Sequence, residues 1–365
     1  MPLQLHDLLS KGYFPIELPP PFNTASYADA IANNYSTSLI RRFQTTPRFS
    51  MMCVHNLVRS GGLRRNLSIP NPKHFFLLAD HIVNNWTNHL SAAQFSPFSL
   101  TKPVTGNPIR AISPEFDLSE RTLKIAELRT NGKFILKADI TRFFPSIYTH
   151  SIPWAIMGKP QAKAAHLNGT LRNTWQDQTD TFARSINNNQ TIGIPIGPDT
   201  SRLIAEIILS RIDLELANKF KKLKGIRFID DYEFSFINRS DAENVLSFLQ
   251  HLLNEFELAL NSSKTSIIEL PYTFEPLWTS KIRTYRFRAA GITGQKNDLS
   301  AYFDMVYDFM RKLPDEGILK YAIGRLKSES IRKDNWKFFQ NILCQCIVVE
   351  PACLPQVCEQ IIKYK

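Results

Sequence analysis

The stretch RFIDDYEFSF, Arg227 to Phe236, constrains this chain more than any other. Two adjacent carboxylates, Asp230 and Asp231, sit between apolar flanks. Phe228 and Ile229 precede them, and Phe234 and Phe236 alternate with Glu233 and Ser235 after them. Such alternation around a polar pair predicts an antiparallel strand pair, Gly225 to Asn238, with the aspartates at its turn. A second short apolar run, KFILKAD from Lys133 to Asp139, follows Gly132 and ends on another carboxylate. It reads as a buried strand. If the two strands are neighbours, Asp139, Asp230 and Asp231 converge at one sheet edge. Like charges held that close raise each other's pKa unless a cation joins them. Mg²⁺ takes oxygen ligands, commonly one or two carboxylates plus substrate phosphates. Two such ions about 3.5–4 Å apart activate an attacking oxygen and stabilise a leaving one. The trio therefore fits nucleotidyl transfer. Alone, an Asp-Asp pair equally fits an ordinary turn, where aspartate is favoured.

The rest of the chain surrounds these strands with helices. IELPPPF, Ile16 to Phe22, must be extended, because each proline fixes its own φ and restricts its predecessor. A helix is expected over Ser26 to Arg42. Arg64 to Pro72 reads as a basic, proline-punctuated loop, followed by a helix with Leu77, Leu78, His81, Ile82 and Trp86 on one face. Lys159 to Asn189 is polar, with helices expected. A Gly/Pro loop then feeds a helix carrying Ile204, Ile207, Ile208, Arg211 and Ile212, with Asp199 and Thr200 as candidate N-caps. SDAE, Ser240 to Glu243, reads as a capping box opening a helix with Val245, Leu249, Leu252, Leu253 and Phe256. From Ala301 onward only helices are expected. The order strand, helix, helix, hairpin, helix, strand predicts an α+β fold, an antiparallel sheet backed by helices on one face.

Composition narrows the partners. A formal net charge of +11 over 365 residues makes a polyanion such as nucleic acid a plausible partner. The N-terminus lacks a cationic start followed by an apolar run, so no secretory signal is expected. No apolar stretch approaches a membrane span. Five cysteines fit a reducing cytosol better than a disulfide scaffold. Cys344, Cys346, Cys353 and Cys358 lie close together, but their spacing matches no standard zinc pattern and their neighbours are apolar.

Three segments occur in a telling order: LKADITRFFPSIYTHSIPWAIMGK (Leu136 to Lys159), GIPIGPDTSRLIAE (Gly193 to Glu206) and RFIDDYEF (Arg227 to Phe234). They resemble motifs A, B and C of reverse transcriptases, and LNSSKTSI, Leu260 to Ile267, is similar to motif D. The wording of the first two, with LLSKGYFPIELPPPF near the start, is closest to the bacterial abortive-infection and defence-associated "unknown group" branch. The resemblance covers roughly Leu8 to Ile268. It implies right-hand polymerase fingers and palm followed by an α-helical region in place of a conventional thumb. The corresponding division is an N-terminal and fingers region over 1–110, a palm with part of the fingers over 111–290 and a helical region over 291–365. It implies that Asp139, Asp230 and the backbone carbonyl of Ile140 hold two Mg²⁺ ions, with Mn²⁺ as the alternative, and that Asp231 completes the site. Phe144 matches the steric gate that excludes a ribose 2′-hydroxyl, although an aromatic there also fits the core. Pro195, Ile196 and Gly197 would line the incoming deoxynucleotide. Lys264 would meet its triphosphate, or else be a solvated lysine. Arg64, Arg65, Arg110 and Arg121 are candidate phosphate contacts.

Two departures bear on function. Phe228 and Ile229 stand where motif C usually has Tyr-Ala, and Ile196 stands where motif B usually has Gln. The Ile196 side chain cannot hydrogen-bond, which puts ordinary templated fidelity in question. In this branch some members prime on a protein hydroxyl and need no template, while others copy a small non-coding RNA. Partners implied are deoxynucleotides, a DNA product, a non-coding RNA, and either further copies of the chain or a second protein that supplies a helical region; the location implied is the bacterial cytoplasm. The alternatives are a retron-like enzyme copying an RNA template and a catalytically silent palm that binds RNA or protein.

Overall fold

The computed structural model describes residues 2–364 apart from 20, 46, 63, 117–119, 289 and 290. Its strands, in chain order, are β1 (Cys53–Val58), β2 (Arg64–Ile69), β3 (Pro103–Val104), β4 (Ser113–Pro114), β5 (Phe134–Asp139), β6 (Lys224–Phe228), β7 (Asp231–Phe236) and β8 (Ser266–Glu269). The last four form one antiparallel sheet in the order β6-β7-β5-β8, while β1 with β2 and β3 with β4 form two-stranded sheets. The helices before the sheet are α1 (Leu5–Lys11), α2 (Ala25–Asn34), α3 (Thr37–Gln44), α4 (Pro72–Asn84), α5 (Trp86–Ala93) and α6 (Arg121–Arg129). Between β5 and β6 come α7 (Phe143–Ser146), α8 (Ser151–Met157), α9 (Lys159–Leu167), α10 (Trp175–Ile186) and α11 (Asp199–Lys219), and α12 (Arg239–Glu255) follows β7. The remainder is helical: α13 (Leu277–Thr284), α14 (Ile292–Lys312), α15 (Ile318–Arg325), α16 (Lys333–Val349) and α17 (Leu354–Lys363).

The chain divides into two compact units, residues 1–55 with 67–272 and residues 56–66 with 273–365. The first contains the four-stranded sheet. Its register sets Leu136 opposite Phe234 and Ala138 opposite Tyr232, all buried. Side chains alternate across a strand, so these four share the core face. α12 packs on the sheet through its apolar stripe of Val245, Leu249, Leu252 and Leu253. α11 is buried around most of its circumference, as expected of a helix apolar on several faces. The opposite sheet face carries Lys137, Asp139, Asp231 and Glu233. Glu233 is buried there by an ion pair with Arg129 at the end of α6, Nε to Oε1 2.7 Å. The expectation of helices on one face is therefore corrected, since α6 contributes to the second.

Several local expectations also change. Arg64–Ile69 is a strand, not a loop, because β1 offers it a backbone partner that its own polar sequence does not reveal. The helix expected over 26–42 is two helices, and Ser36 caps the second by accepting from the Leu39 amide at 3.2 Å. Pro198 is the N-cap of α11, because the Asp199 carboxylate is drawn away to Arg110 and the Ile112 amide. Asn238 is the N-cap of α12, so Ser240 lies inside the helix and the capping box does not form.

The second unit has its own core, in which Tyr302, Phe303, Ile318, Phe339 and Leu343 are buried. Cys346 and Cys353 belong to it. Burial pushes their thiols up to about 11 and about 12, away from the thiolate that zinc needs. Cys344 and Cys358 are exposed. No described helix is long and apolar enough to cross a membrane.

Candidate active site

Strand pairing brings the three aspartates together. Asp139, the last residue of β5, is the cross-strand partner of Asp231, the first of β7. Directly opposed residues have Cβ atoms about 4.5–5.5 Å apart, and like charges there are destabilising. Asp230 occupies the turn between β6 and β7. Its carboxyl is pushed up to about 6 by burial and by the charges of Asp231 and Asp139. Burial likewise raises Asp231, where Arg121 opposes the shift and Asp139 adds to it.

Basic and amide groups sit at the rim. Lys264 Nζ donates to Asp139 Oδ2 at 3.0 Å, on a side chain that is 64% exposed. Asn261 Nδ2 donates to Asp139 Oδ1 at 3.0 Å, and its amide donates to the Asp139 carbonyl at 2.7 Å. This segment is registered by the Ile140–Leu260 bridge, in which Ile140 is buried. Arg121 reaches Asp231 at 3.8 Å and lies over the Phe228 ring at 5.5 Å. Among the described residues no group of three or more His, Cys, Asp or Glu is arranged as a finished metal cage. The donor set nevertheless fits a hard divalent ion: three clustered carboxylates, two with raised pKa, with Lys264 and Arg121 at the rim.

The turn is strained. Ile229 has φ +57°, an outlier for a β-branched residue and a position where tight hairpins favour glycine or asparagine. Its backbone is held on both sides. The amide donates to Thr101 Oγ1 at 3.2 Å, and the carbonyl accepts from Arg227 at 2.9 Å. Arg227 is wholly buried, its Nε on Asp213 at 2.7 Å and its two terminal nitrogens on Glu206 at 3.0 and 2.8 Å.

The remaining expected residues fall into two groups. Phe144 is half-buried against Phe143 and lines a small cavity with Ile229, Arg202 and Glu206, beside the aspartate turn. Pro195, Ile196 and Gly197 form the loop entering α11. The Ile196 carbonyl accepts from the Ser68 amide at 2.9 Å, and a Cβ on Gly197, at φ +132°, would collide with Pro15. Arg110 is corrected as a phosphate contact. It is buried, with Nε on Asp199 at 2.7 Å and its other nitrogens on the Phe14 and Gly197 carbonyls, so its donors fix the loop entering α11 from behind. Arg64 and Arg65 belong to the second unit.

Sequence reasoning passed over Asn261, Thr101, Arg202, Glu206 and Arg227. Glu206 and Asp213 lie seven residues apart on one face of α11 and are both buried, but the other charged residues of that helix, among them Arg202, Arg211 and Glu215, hide that spacing in the sequence. Arg202 lines the Phe144 cavity with no hydrogen bond or close ion pair among the described residues; Asp199, Glu206 and Glu17 balance its charge at longer range.

Residues 84–292 match the family model for reverse transcriptase (RNA-dependent DNA polymerase). The match spans more than half of the chain, which belongs to the reverse transcriptase family. It is a nucleotidyltransferase of the polymerase class, from a family that generally works with divalent metal ions. No curated protein matches it. Among solved structures it is similar to apo telomerase from Candida tropicalis, at 11% identity and a TM-score of 0.42, covering 90% of this chain and 68% of that one. It is also similar to telomerase from Candida albicans in complex with the TWJ fragment of telomeric RNA, at 10% identity and 0.39, covering 93% and 67%. Against a C-terminally truncated Candida tropicalis telomerase the identity is 13% and the TM-score 0.42, covering 67% of this chain and 56% of that one.

Proposed function

We propose that this chain is a Mg²⁺-dependent DNA polymerase of the defence-associated branch of reverse transcriptases, acting in the bacterial cytoplasm. It builds DNA from deoxynucleotides, either on a small non-coding RNA or without a template on a protein hydroxyl. The observation that carries the reading is the cross-strand pairing of Asp139 with Asp231 beside Asp230, three carboxylates at one sheet edge. Asp139, Asp230 and the Ile140 carbonyl would hold the ions, and Asp231 would complete the set. When bound, two such ions activate the attacking hydroxyl and stabilise the leaving phosphate oxygen. The chain's own residues do the rest. Lys264 leaves Asp139 to meet the triphosphate as a point charge. Phe144, beside the turn, excludes a 2′-hydroxyl. Gly197 lets the backbone approach the nucleotide, and Arg121 is the remaining candidate phosphate contact at the rim.

Ile196 supports the departure from ordinary templated copying, because its side chain offers a template pair no hydrogen bond. Residues 1–110 serve as N-terminal and fingers region, 111–290 as palm, and 291–365 as a helical region in place of a thumb. That region is completed by further copies of the chain or by a second protein.

The test first looks for attached or bound nucleic acid in the purified protein, using one portion digested with protease and another with ribonuclease; undigested protein, with and without ribonuclease treatment, is then given Mg²⁺ and each labelled deoxynucleotide singly, with no added template. Label that stays with protein until proteolysis supports protein-primed synthesis. Incorporation that needs a co-purified RNA supports that RNA as template. Asp230→Ala is expected to be inactive in both. Absence of product from folded wild-type protein both with and without the co-purified RNA favours the silent palm.

A further inference from the structure

The turn that carries Asp230 is gripped by a closed ring of hydrogen bonds. The Ile229 amide donates to Thr101 Oγ1 at 3.2 Å, and the Thr101 hydroxyl donates to Glu206 Oε2 at 3.1 Å. The same Glu206 oxygen accepts from one terminal nitrogen of Arg227 at 3.0 Å. That nitrogen donates its second hydrogen to the Ile229 carbonyl at 2.9 Å, closing the circuit. Each polar group plays one consistent role, so donors and acceptors balance around the ring. We propose that Thr101, Glu206 and Arg227 are positioning residues for catalysis, and that their ring clamps both backbone groups of Ile229 to hold Asp230 and Asp231 in register with Asp139.

The strain explains why a clamp is needed. A β-branched residue at φ +57° is strained and persists only where its surroundings over-determine it. Left alone, the Ile229 peptide would relax, and the turn would carry Asp230 with it. Each ring member comes from a rigid place. Arg227 lies on β6, and Glu206 on the buried α11. Thr101 is delivered by the segment before it, which runs beside β6. The Arg227 amide donates to the Phe98 carbonyl at 2.7 Å, the Leu100 amide to the Arg227 carbonyl at 2.8 Å, and Ser99 bridges to Arg227 in parallel. That pairing sets Thr101 level with Ile229, two residues further along both segments. Asp213 anchors the far side of Arg227, and it is fixed in turn by the Ser96 and Tyr232 hydroxyls. A small ring at the core side of the turn therefore ties the helix, the sheet and the catalytic edge into one unit.

The inference rests on the polymerase reading for its functional meaning, and the test separates the two. Thr101→Val keeps the shape and removes the hydroxyl, so both of its ring bonds are lost while the Arg227–Glu206 ion pair stays. Thr101→Ser restores the hydroxyl without the methyl. Amide exchange at residues 229–231, measured without metal, is expected to accelerate about tenfold in Thr101→Val and to return in Thr101→Ser. Single-nucleotide incorporation is expected to show kcat reduced about tenfold to a hundredfold, the size of effect expected from sub-ångström misplacement, with the deoxynucleotide KM within about twofold. Unchanged exchange overturns the ring, as does a defect shared equally by Thr101→Ser, which would assign the effect to the methyl group. Changed exchange with unchanged kcat overturns the catalytic role. A wild-type protein that incorporates nothing defeats the polymerase reading, and with it any catalytic role for the ring, while exchange still decides whether the ring exists.

Discussion

Two clusters of charge lie within a few residues of each other, and the chain treats them in opposite ways. In the interior, Arg227 is wholly buried against Glu206 and Asp213, and every charged group has protein partners. Burial opposes ionisation of Glu206, but Arg227 holds its carboxyl below the usual range; burial of Asp213 prevails over the same cation and raises it. At the sheet edge, Asp139, Asp230 and Asp231 repel one another, and their nearest cations are the exposed Lys264 and the distant edge of Arg121. The contrast teaches what each cluster is for. Charges that fix the fold are completed from within, because a buried unpaired charge is costly. Charges left incomplete destabilise the free protein and are explained by a ligand that completes them.

The largest effect expected is a separation of activity from stability. Asp230→Ala and Asp139→Ala should lower nucleotide incorporation by about 10³-fold or more, with thermal stability unchanged or raised. Removing a member of the interior cluster should do the reverse in kind. Glu206→Ala leaves Arg227 undercompensated and should lose about 3–5 kcal/mol in a denaturant titration. Equal stability losses in the two clusters would erase the distinction between them.

A third buried group sharpens the rule that the interior accepts charge only with a counter-charge. His89 is surrounded by the Asn85 carbonyl, the Thr179 hydroxyl and His81, with no carboxylate among these contacts. Burial therefore lowers it from 6.5 to about 4, the Asn85 carbonyl opposing the shift and His81 adding to it. In the unfolded chain it takes up its proton first. Its contribution is thus present above about pH 6.5 and is lost as pH falls towards 4, amounting to roughly 3 kcal/mol. His89→Gln should flatten the fall in melting temperature across that window; an unaltered slope would place its cause elsewhere.

The aspartate edge was legible because its signals are local. Alternation around Asp230 and Asp231, and the short apolar run ending at Asp139, fixed two strands whose pairing then brought the three carboxylates together. The support beneath was not legible, because Arg227 finds Glu206, and Glu206 in turn finds Thr101, across the fold, and no periodicity records such pairings. The same reason hid β2, whose polar residues become a strand only beside β1. Arg110 read as a candidate phosphate contact because its partner Asp199 lies 89 positions away. Asp199 and Ser240 missed their capping roles for a related reason. A tertiary partner captured the first, and the helix began earlier than the motif for the second.

The smallest effect expected is at the rim. Lys264→Ala should raise the deoxynucleotide KM by about threefold to tenfold, while its exposed pair with Asp139 contributes no more than about 0.5 kcal/mol to stability. A stability loss comparable with Glu206→Ala would move Lys264 into the interior class.

The central claim is that the aspartate edge is held in the free protein at the expense of stability and completed by metal. Thermal melting of wild type and Asp230→Asn at neutral pH, with chelator and then with Mg²⁺, tests it directly. The account predicts that Asp230→Asn melts above wild type in chelator, and that Mg²⁺ raises the wild-type midpoint while leaving the variant unmoved. A variant that melts below wild type in both conditions, with no response of wild type to Mg²⁺, would contradict it.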